Sequence, residues 1–121
     1  MKKTVIIGAT TNPSRTAFIA AGMFSEYKIP FVPVGIKQGE VFGEDILDLR
    51  SKPEIGDVHT VTLYIGPKNQ PEWYEYILSL KPKRIIFNTG TENPEFIKMV
   101  EDKGIEATVS CNLVLLRTGQ F

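Results

Sequence analysis

Hydrophobic residues along this chain occur in short unbroken runs that alternate with longer amphipathic stretches. Val5, Ile6 and Ile7 form the first run, and it lacks the polar alternation of a half-exposed strand. The run therefore predicts a strand that is covered on both faces. Gly8 ends it, and residues 14–27 then carry apolar side chains at helical spacing, which predicts an amphipathic helix.

The same two patterns repeat to the end of the chain. They predict further strands at residues 31–36, 58–65, 84–88 and 106–109, a second helix from Gln70 and a third from Asn93 to Gly104. In the second helix, the spacing places Trp73 and Ile77 in the core and Tyr74 outward. Residues 44–50 are expected to form a short helical turn, and residues 112–116 either a last helical turn or an edge segment.

Strands that alternate with helices predict an α/β domain with a five-stranded, mostly parallel sheet and helices on both faces. If the crossovers are right-handed and the chain reverses direction once, the strand order is 3-2-1-4-5. A ligand would then lie over the carboxyl ends of the strands, at the switch between strands one and four. No linker or repeat interrupts the 121 residues, so a single domain over residues 1–121 is expected.

A polar loop follows Gly8 and leads into the first helix. Asn12 or Ser14 could cap a helix that begins near Arg15. A helix N-terminus beyond a parallel strand offers free N–H groups and partial positive charge, so it can bind a phosphate. The loop has only the first glycine of the dinucleotide fingerprint and no Walker A lysine, so a plain turn without ligand remains an alternative.

Lys37 stands just beyond the second predicted strand. NAD-binding folds usually have an acidic residue there, which accepts hydrogen bonds from the ribose hydroxyls. A cation at this place instead favours a phosphorylated ribose, which NADP and coenzyme A both contain. The alternative is a solvated surface lysine.

Charge and cysteine content limit the classes of function. The 14 basic and 14 acidic residues balance, which argues against a nucleic-acid partner. No apolar run approaches the ~20 residues of a membrane span. The start of the chain lacks a signal-peptide cleavage site and Cys111 is the single cysteine, so a cytoplasmic protein without an internal disulfide is expected.

The sequence offers little for catalysis. His59 is the single histidine, and one histidine with one cysteine cannot build a typical zinc site. A Cys111–His59 pair is conceivable, although no local signature supports it. Cys111 is either a small apolar residue or close enough to a thiol ligand to exchange with it. No catalytic residue and no metal site are predicted, and enzymatic activity is the less favoured interpretation.

Two segments resemble a known family, the small single-domain CoA-binding proteins, which are similar to the N-terminal CoA-binding domain of the succinyl-CoA synthetase alpha subunit. Residues 8–15, Gly-Ala-Thr-Thr-Asn-Pro-Ser-Arg, resemble that family's Gly-Ala-Ser-x-Asn-Pro loop. Residues 32–43 resemble its Val-x-Pro-Val-Asn-Pro-Lys-x-x-Glu-x-x-Gly segment. The likeness continues through Asp57-Val58, Gly66-Pro67 and the Cys111 region, so it covers nearly the whole chain.

The resemblance implies a Rossmann-like, three-layer domain that binds coenzyme A or an acyl-CoA. By position, residues 10–14 would face the pyrophosphate and Lys37 the phosphorylated ribose, while residues 65–67, with Asn69 and Gln70, would line the other flank. The expected cofactor-binding residues are Gly8, Thr10, Thr11, Asn12, Pro13, Ser14, Arg15, Lys37, Ile65, Gly66, Pro67 and Asn69.

The chain departs from the family pattern at two places. Gly35-Ile36 replaces the Asn-Pro before the lysine, and only Cys111 matches the family's Asp-Arg-Cys run. Non-catalytic binding of coenzyme A or an acyl-CoA is the leading hypothesis. One alternative is an NADP-dependent enzyme or redox sensor that uses the same cleft, and another is an interaction domain without a ligand.

Overall fold

The computed structural model describes residues 2–121 as a parallel β-sheet with helices on both faces. The strands are β1 (Thr4–Ile7), β2 (Phe31–Gly35), β3 (Glu40–Val41), β4 (Glu44–Asp45), β5 (Leu47–Asp48), β6 (Thr60–Leu63), β7 (Arg84–Phe87) and β8 (Glu106–Val109). The helices are α1 (Thr16–Glu26), α2 (Tyr74–Ser79), α3 (Pro94–Asp102) and α4 (Asn112–Arg117). The α/β, Rossmann-like fold class expected from the sequence is therefore confirmed.

The strand order corrects the predicted one. Six strands form the main sheet in the order β5-β2-β1-β6-β7-β8, with every neighbouring pair parallel, and β3 and β4 form a separate antiparallel hairpin. The strand predicted at residues 58–65 was expected at the edge, but as β6 it pairs with β1. The edge position beside β2 belongs to β5, a two-residue strand within the segment expected to be helical.

When β5 is counted, the order along the main sheet is 3-2-1-4-5-6, that of the dinucleotide-binding fold. The switch point consequently lies between β1 and β6, and not beside the strand at residues 84–88. Ligands in open α/β sheets bind outside the carboxyl ends of the strands at such a point.

Two apolar layers cover the sheet. Val5 and Ile7 of β1 point to one face, where Ile77 of α2 and Phe96 of α3 are buried. Ile6 points to the other face, against Phe24 of α1 and other buried residues of α1 and α4. Burying side chains of this size contributes about 1.5–3 kcal/mol each, so the alternating directions along β1 fix both layers.

Two local predictions are resolved or overturned. Residues 112–116 are helical, because they belong to α4. Tyr74 was expected outward, but it is buried and stacks on Phe96, with ring centroids 4.3 Å apart. Two 3₁₀ turns, Pro67–Asn69 and Pro71–Trp73, precede α2, and their three-residue period shifts the phase that a continuous α-helix would have.

Within residues 2–121, no helix is long and apolar enough to cross a membrane.

Candidate functional site

Three loops meet at the carboxyl edge of the sheet, and glycines allow them to approach. A Cβ atom at Gly35, the last residue of β2, would lie 2.5 Å from the carbonyl oxygen of Ala9. A Cβ at Gly39 would lie 2.5 Å from Cγ2 of Thr11. The loop after β1 (residues 8–15) therefore packs directly on the loop after β2 (residues 36–39).

Gly8 joins the same loop to the one that follows β6. Its φ of 101° lies in the left-handed region, and a Cβ there would approach the Tyr64 backbone and the Ile65 side chain to 3.1 Å. The loops after β1, β2 and β6 consequently form one continuous surface, which we call the loop edge. It contains the switch point between β1 and β6.

Hydrogen bonds within the β1–α1 loop differ from the expected helix cap. The Asn12 side-chain carbonyl accepts from the Ser14 N–H at 3.0 Å and from the Ser14 hydroxyl at 2.8 Å. The N-cap of α1 is Arg15, and no side chain caps it. The prediction that Asn12 or Ser14 caps the helix is therefore wrong, because these two residues bond to each other and shape the loop.

Several donors of this loop remain available. Within residues 2–121, no hydrogen bond engages the backbone N–H groups of Thr11, Thr16 or Ala17. Residues 11–16 are exposed, including the Arg15 side chain at the start of α1. An anion at this end of α1 would meet unpaired N–H groups, the helix dipole and a guanidinium together.

Lys37 lies beside this loop, two residues beyond β2. It is exposed, and its ammonium group makes no hydrogen bond or ion pair with any of the described residues. The following hairpin is anchored on α1, since the Phe42 ring packs against Phe18 with centroids 5.0 Å apart. Lys37 therefore projects from a loop that is held at both ends, by Gly35 on Ala9 and by the hairpin on α1.

The loop after β6 contains predicted ligand-binding residues, some of which reach the surface while one is buried. Ile65 and Gly66 are half-buried, whereas Pro67 and Asn69 are exposed at the loop edge. Gln70 is fully buried, and its amide donates to the carbonyls of Ile65 at 3.0 Å and Thr91 at 2.9 Å. Gln70 thus holds the loop in place and does not face a ligand, contrary to the expectation.

Gln70 belongs to a buried polar group that also contains Tyr74, Thr91 and Asn93; we call it the Gln70 cluster. The Asn93 amide donates to Gln70 Oε1 at 3.0 Å and to the Tyr74 hydroxyl oxygen at 2.7 Å. The Asn93 side-chain carbonyl accepts from the Phe96 N–H at 3.2 Å and so caps α3. The Tyr74 hydroxyl donates to Glu95 at 3.0 Å. Every side-chain amide in this cluster is paired.

A second buried group lies on the other face of the sheet and contains Thr62, Tyr64, Asn88 and Asn112; we call it the Asn112 cluster. The Asn88 amide donates at 2.8 Å to the Thr62 hydroxyl oxygen and to the Leu63 carbonyl. The Asn88 side-chain carbonyl accepts from the Asn112 N–H at 2.8 Å. The hydroxyl of Tyr64 and both amide atoms of Asn112 are buried, and none has a hydrogen-bond partner among residues 2–121.

Sequence reasoning missed the Asn112 cluster. Asn88 directly follows the buried strand β7, and this position was the available signal; Asn112 begins α4, three residues after β8. Burial raises the pKa of the Tyr64 phenol; the nearby Thr62 hydroxyl lowers it, and the neighbouring Cys111 thiol adds to the rise. The phenol therefore keeps its proton and can donate it in a hydrogen bond at neutral pH.

The conceivable Cys111–His59 pair is overturned by the topology. Cys111 follows the carboxyl end of β8, whereas His59 precedes the amino end of β6. The two residues lie at opposite edges of the sheet, separated by the length of a four-residue strand, about 13 Å. His59 instead has Nδ1 2.8 Å from the Thr60 hydroxyl, and burial lowers its pKa, with Arg84, Lys2 and Lys83 adding to the effect.

Residues 2–117 match the family described as the CoA binding domain. The chain belongs to this family. In a crystal structure of an uncharacterized protein, 50% of the residues are identical, the TM-score is 0.96, and the alignment covers 100% of this chain and 98% of that one. A comparison with curated proteins gave no match.

Two more distant structures show the fold alone. A Thermus thermophilus protein is 24% identical with a TM-score of 0.84, over 99% of this chain and 90% of its own. A hypothetical protein from Pyrococcus horikoshii OT3 is 24% identical with a TM-score of 0.82, over 98% of this chain and 83% of its own.

The donor types along the loop edge fit the ligand of a CoA binding domain. A diphosphate requires N–H donors, which the loop after β1 offers, and a phosphorylated ribose requires a cation, which Lys37 offers. The ligand's arm contains amides, and the unpaired polar atoms of the Asn112 cluster lie farther along the same edge.

Proposed function

We propose that this protein binds coenzyme A or an acyl-CoA, without catalysing a reaction, along the loop edge. The observation that carries the proposal is the meeting of three loops at the switch point, with Lys37 exposed and unpaired beside the open N-terminus of α1. Membership of the CoA binding domain family supports the same ligand.

The loop after β1 takes the pyrophosphate in this proposal. Gly8 permits the turn, Thr10 and Thr11 approach the phosphates, and Arg15 adds positive charge at the start of α1. Because the Ser14 donors are engaged by the Asn12 side-chain oxygen, Ser14 and Pro13 hold the loop shape, and the Asn12 side-chain N–H groups donate to the phosphates. The helix dipole favours an anion there by about 0.3–1 kcal/mol.

In this proposal Lys37 binds the phosphate on the ribose, and the loop after β6 lines the pantetheine arm of coenzyme A. Ile65, Gly66, Pro67 and Asn69 lie on the far side of Gly8 from Lys37, so a ligand that crosses the β1 loop would contact both flanks. The amino end of β6, where His59 lies, is remote from this path. The proposal therefore assigns no proton transfer to His59 or Cys111. A cytoplasmic location remains a separate prediction from the sequence.

Isothermal titration calorimetry with coenzyme A, dephospho-coenzyme A, NADP and NAD tests the proposal. Coenzyme A should bind about ten-fold or more tightly than dephospho-coenzyme A, because the lysine gains a charge-assisted contact worth roughly 1.5–3 kcal/mol. NAD should bind worst. Lys37→Ala should remove most of the difference, whereas Lys98→Ala, on the exposed side of α3, should preserve it.

The other outcomes separate the alternatives. Strong binding of NADP without coenzyme A would favour the NADP-dependent enzyme or sensor, since Lys37 suits either phosphorylated ribose. Binding of none of the four would favour an interaction domain without a ligand. An unchanged preference in Lys37→Ala would contradict the placement of the ribose phosphate.

A further inference from the structure

The Asn112 cluster contains polar atoms that the folded chain itself leaves unsatisfied. Asn112 is fully buried, and neither its amide nitrogen nor its side-chain oxygen has a hydrogen-bond partner in residues 2–121. The buried hydroxyl of Tyr64 is unpaired as well. Leaving a buried donor or acceptor without a partner costs about 1–3 kcal/mol, so these three atoms require a compensating role.

The surroundings of these atoms are fixed. The backbone N–H of Asn112 is bonded to Asn88, whose amide is bonded in turn to Thr62 and Leu63. The chain of bonds ties the start of α4 to the ends of β6 and β7. The side chain of Asn112 is therefore positioned by its backbone, while its own amide group remains available.

The cluster lies on the line that a ligand along the loop edge would follow. Tyr64 is the first residue beyond β6, at the switch point, and Asn112 is bonded to the residue just beyond β7. Neighbouring strands lie about 4.8 Å apart, and β7 is two strands from β1. The carboxyl end of β7 is therefore about 10 Å along the edge from that of β1, on the side away from Lys37. Tyr64 and Cys111 are partly exposed, whereas the Tyr64 hydroxyl and the Asn112 side chain are buried, so a ligand must displace covering side chains to reach them.

We propose that Asn112 and Tyr64 recognise a carbonyl-bearing group at the far end of the ligand's arm. The Asn112 amide nitrogen and the Tyr64 hydroxyl donate to the carbonyl oxygen, and the Asn112 side-chain oxygen accepts from an adjoining N–H where one is present. This inference rests on the proposed function and adds to it the residues that distinguish coenzyme A from a bare nucleotide. The carbonyl belongs either to the last amide of the arm or to the acyl thioester.

Calorimetry with three ligands tests this recognition: adenosine 3′,5′-bisphosphate, which lacks the arm, coenzyme A and acetyl-CoA. Asn112→Leu keeps the branched shape and removes both polar atoms, and Tyr64→Phe removes only the hydroxyl. For each ligand that carries the recognised carbonyl, Asn112→Leu should weaken binding about ten-fold and Tyr64→Phe about three-fold. Neither should change the affinity of the bisphosphate. Gln120→Leu, which removes an exposed amide near the same helix, is the matched control.

The pattern of losses identifies the carbonyl. Equal weakening of coenzyme A and acetyl-CoA assigns the amide, and weakening of acetyl-CoA alone assigns the thioester; both results support the proposal. Unchanged affinities in both variants, or equal weakening of all three ligands, would overturn it. If the wild-type protein binds none of the three ligands, the proposed function is wrong. If the wild-type protein binds them and both variants bind with unchanged affinity, only the role of the Asn112 cluster is wrong.

Discussion

The Gln70 cluster and the Asn112 cluster are made of the same residue types, an asparagine, a tyrosine, a second amide and a threonine, on opposite faces of one sheet. In the Gln70 cluster, the Asn93 amide has partners for both its donor and acceptor atoms. In the Asn112 cluster, both amide atoms of Asn112 and the hydroxyl of Tyr64 have none among the described residues. Both asparagines are nearly or fully buried, so exposure does not explain the contrast.

The contrast separates structural from binding polar groups. A buried network that is fully paired stabilises the fold and specifies its geometry, whereas an unpaired one costs free energy. The Gln70 cluster holds the loop after β6 and caps α3, so hydrogen bonds within the chain offset the free-energy cost of burying its polar groups. The Asn112 cluster recovers its cost only if another molecule supplies the partners, which is the situation we infer.

The largest expected effect comes from Asn93→Leu. This change removes the cap of α3 and takes away the donor to Gln70 Oε1 and to the Tyr74 hydroxyl oxygen, so the free energy of unfolding should fall by about 3 kcal/mol. For a domain of this size, the melting temperature should drop by about 12 °C. Scanning calorimetry measures both, and the exposed Asn69→Leu should stay within about 0.5 kcal/mol of wild type. A similarly small change in Asn93→Leu would mean that the paired network does not stabilise the fold.

The same substitution at Asn112 should have the opposite sign in the protein without ligand. Asn112→Leu removes two unpaired polar atoms from a buried position, while the backbone N–H still donates to Asn88. The free energy of unfolding should remain unchanged or rise by up to about 2 kcal/mol. Urea unfolding of the ligand-free protein measures it. A loss as large as that of Asn93→Leu would show that the Asn112 amide is satisfied within the folded chain.

The two tyrosines sharpen the comparison with a smaller change. Tyr74→Phe removes a donor to Glu95 and an acceptor from Asn93, and should cost about 1 kcal/mol. Tyr64→Phe removes a hydroxyl that has no partner, and should stay within about 0.5 kcal/mol of wild type. Both are measured by urea unfolding under the same conditions. Equal losses in the two variants would erase the distinction between the clusters.

The sequence predicted the long strands because strands that are buried on both faces, such as residues 5–7, appear as unbroken apolar runs. It could not predict β5, where only Leu47 is apolar and pairing with β2 defines the strand. The predicted strand order was wrong for that reason. Residues 8–15 were identified from the turn and helix-start chemistry and from the family resemblance, and Lys37 from its place after the second strand; their ligand contacts stay predictions.

The two amide clusters could not be distinguished from the sequence. Asn93 precedes a proline at a helix start, so its capping role leaves a local signal. Asn112 has no such signal, because its missing partners depend on β6, β7 and α4 meeting in space. Which polar residues pair is a property of the tertiary structure, and only coordinates reveal an unpaired one.

The smallest expected effect is a pH dependence that neither cluster contributes. Burial lowers the pKa of His59 below its ordinary value of 6.5, and Arg84, Lys2 and Lys83 lower it further. The unfolded chain consequently binds the proton more tightly than the folded protein. Stability from this group is fully present above about pH 6.5 and is lost as the pH falls through the lowered pKa.

His59→Gln, which retains a polar group beside Thr60, should reduce the slope of unfolding free energy against pH between about pH 7.5 and pH 5. Asparagine and the protonated phenols do not titrate in this window, so Asn93→Leu and Asn112→Leu should shift the curve without changing its slope. Urea unfolding at a series of pH values measures all four proteins. If Asn112→Leu altered the slope, a titrating group would have to act on the Asn112 cluster, and its unpaired atoms would then report an electrostatic coupling instead of a binding role.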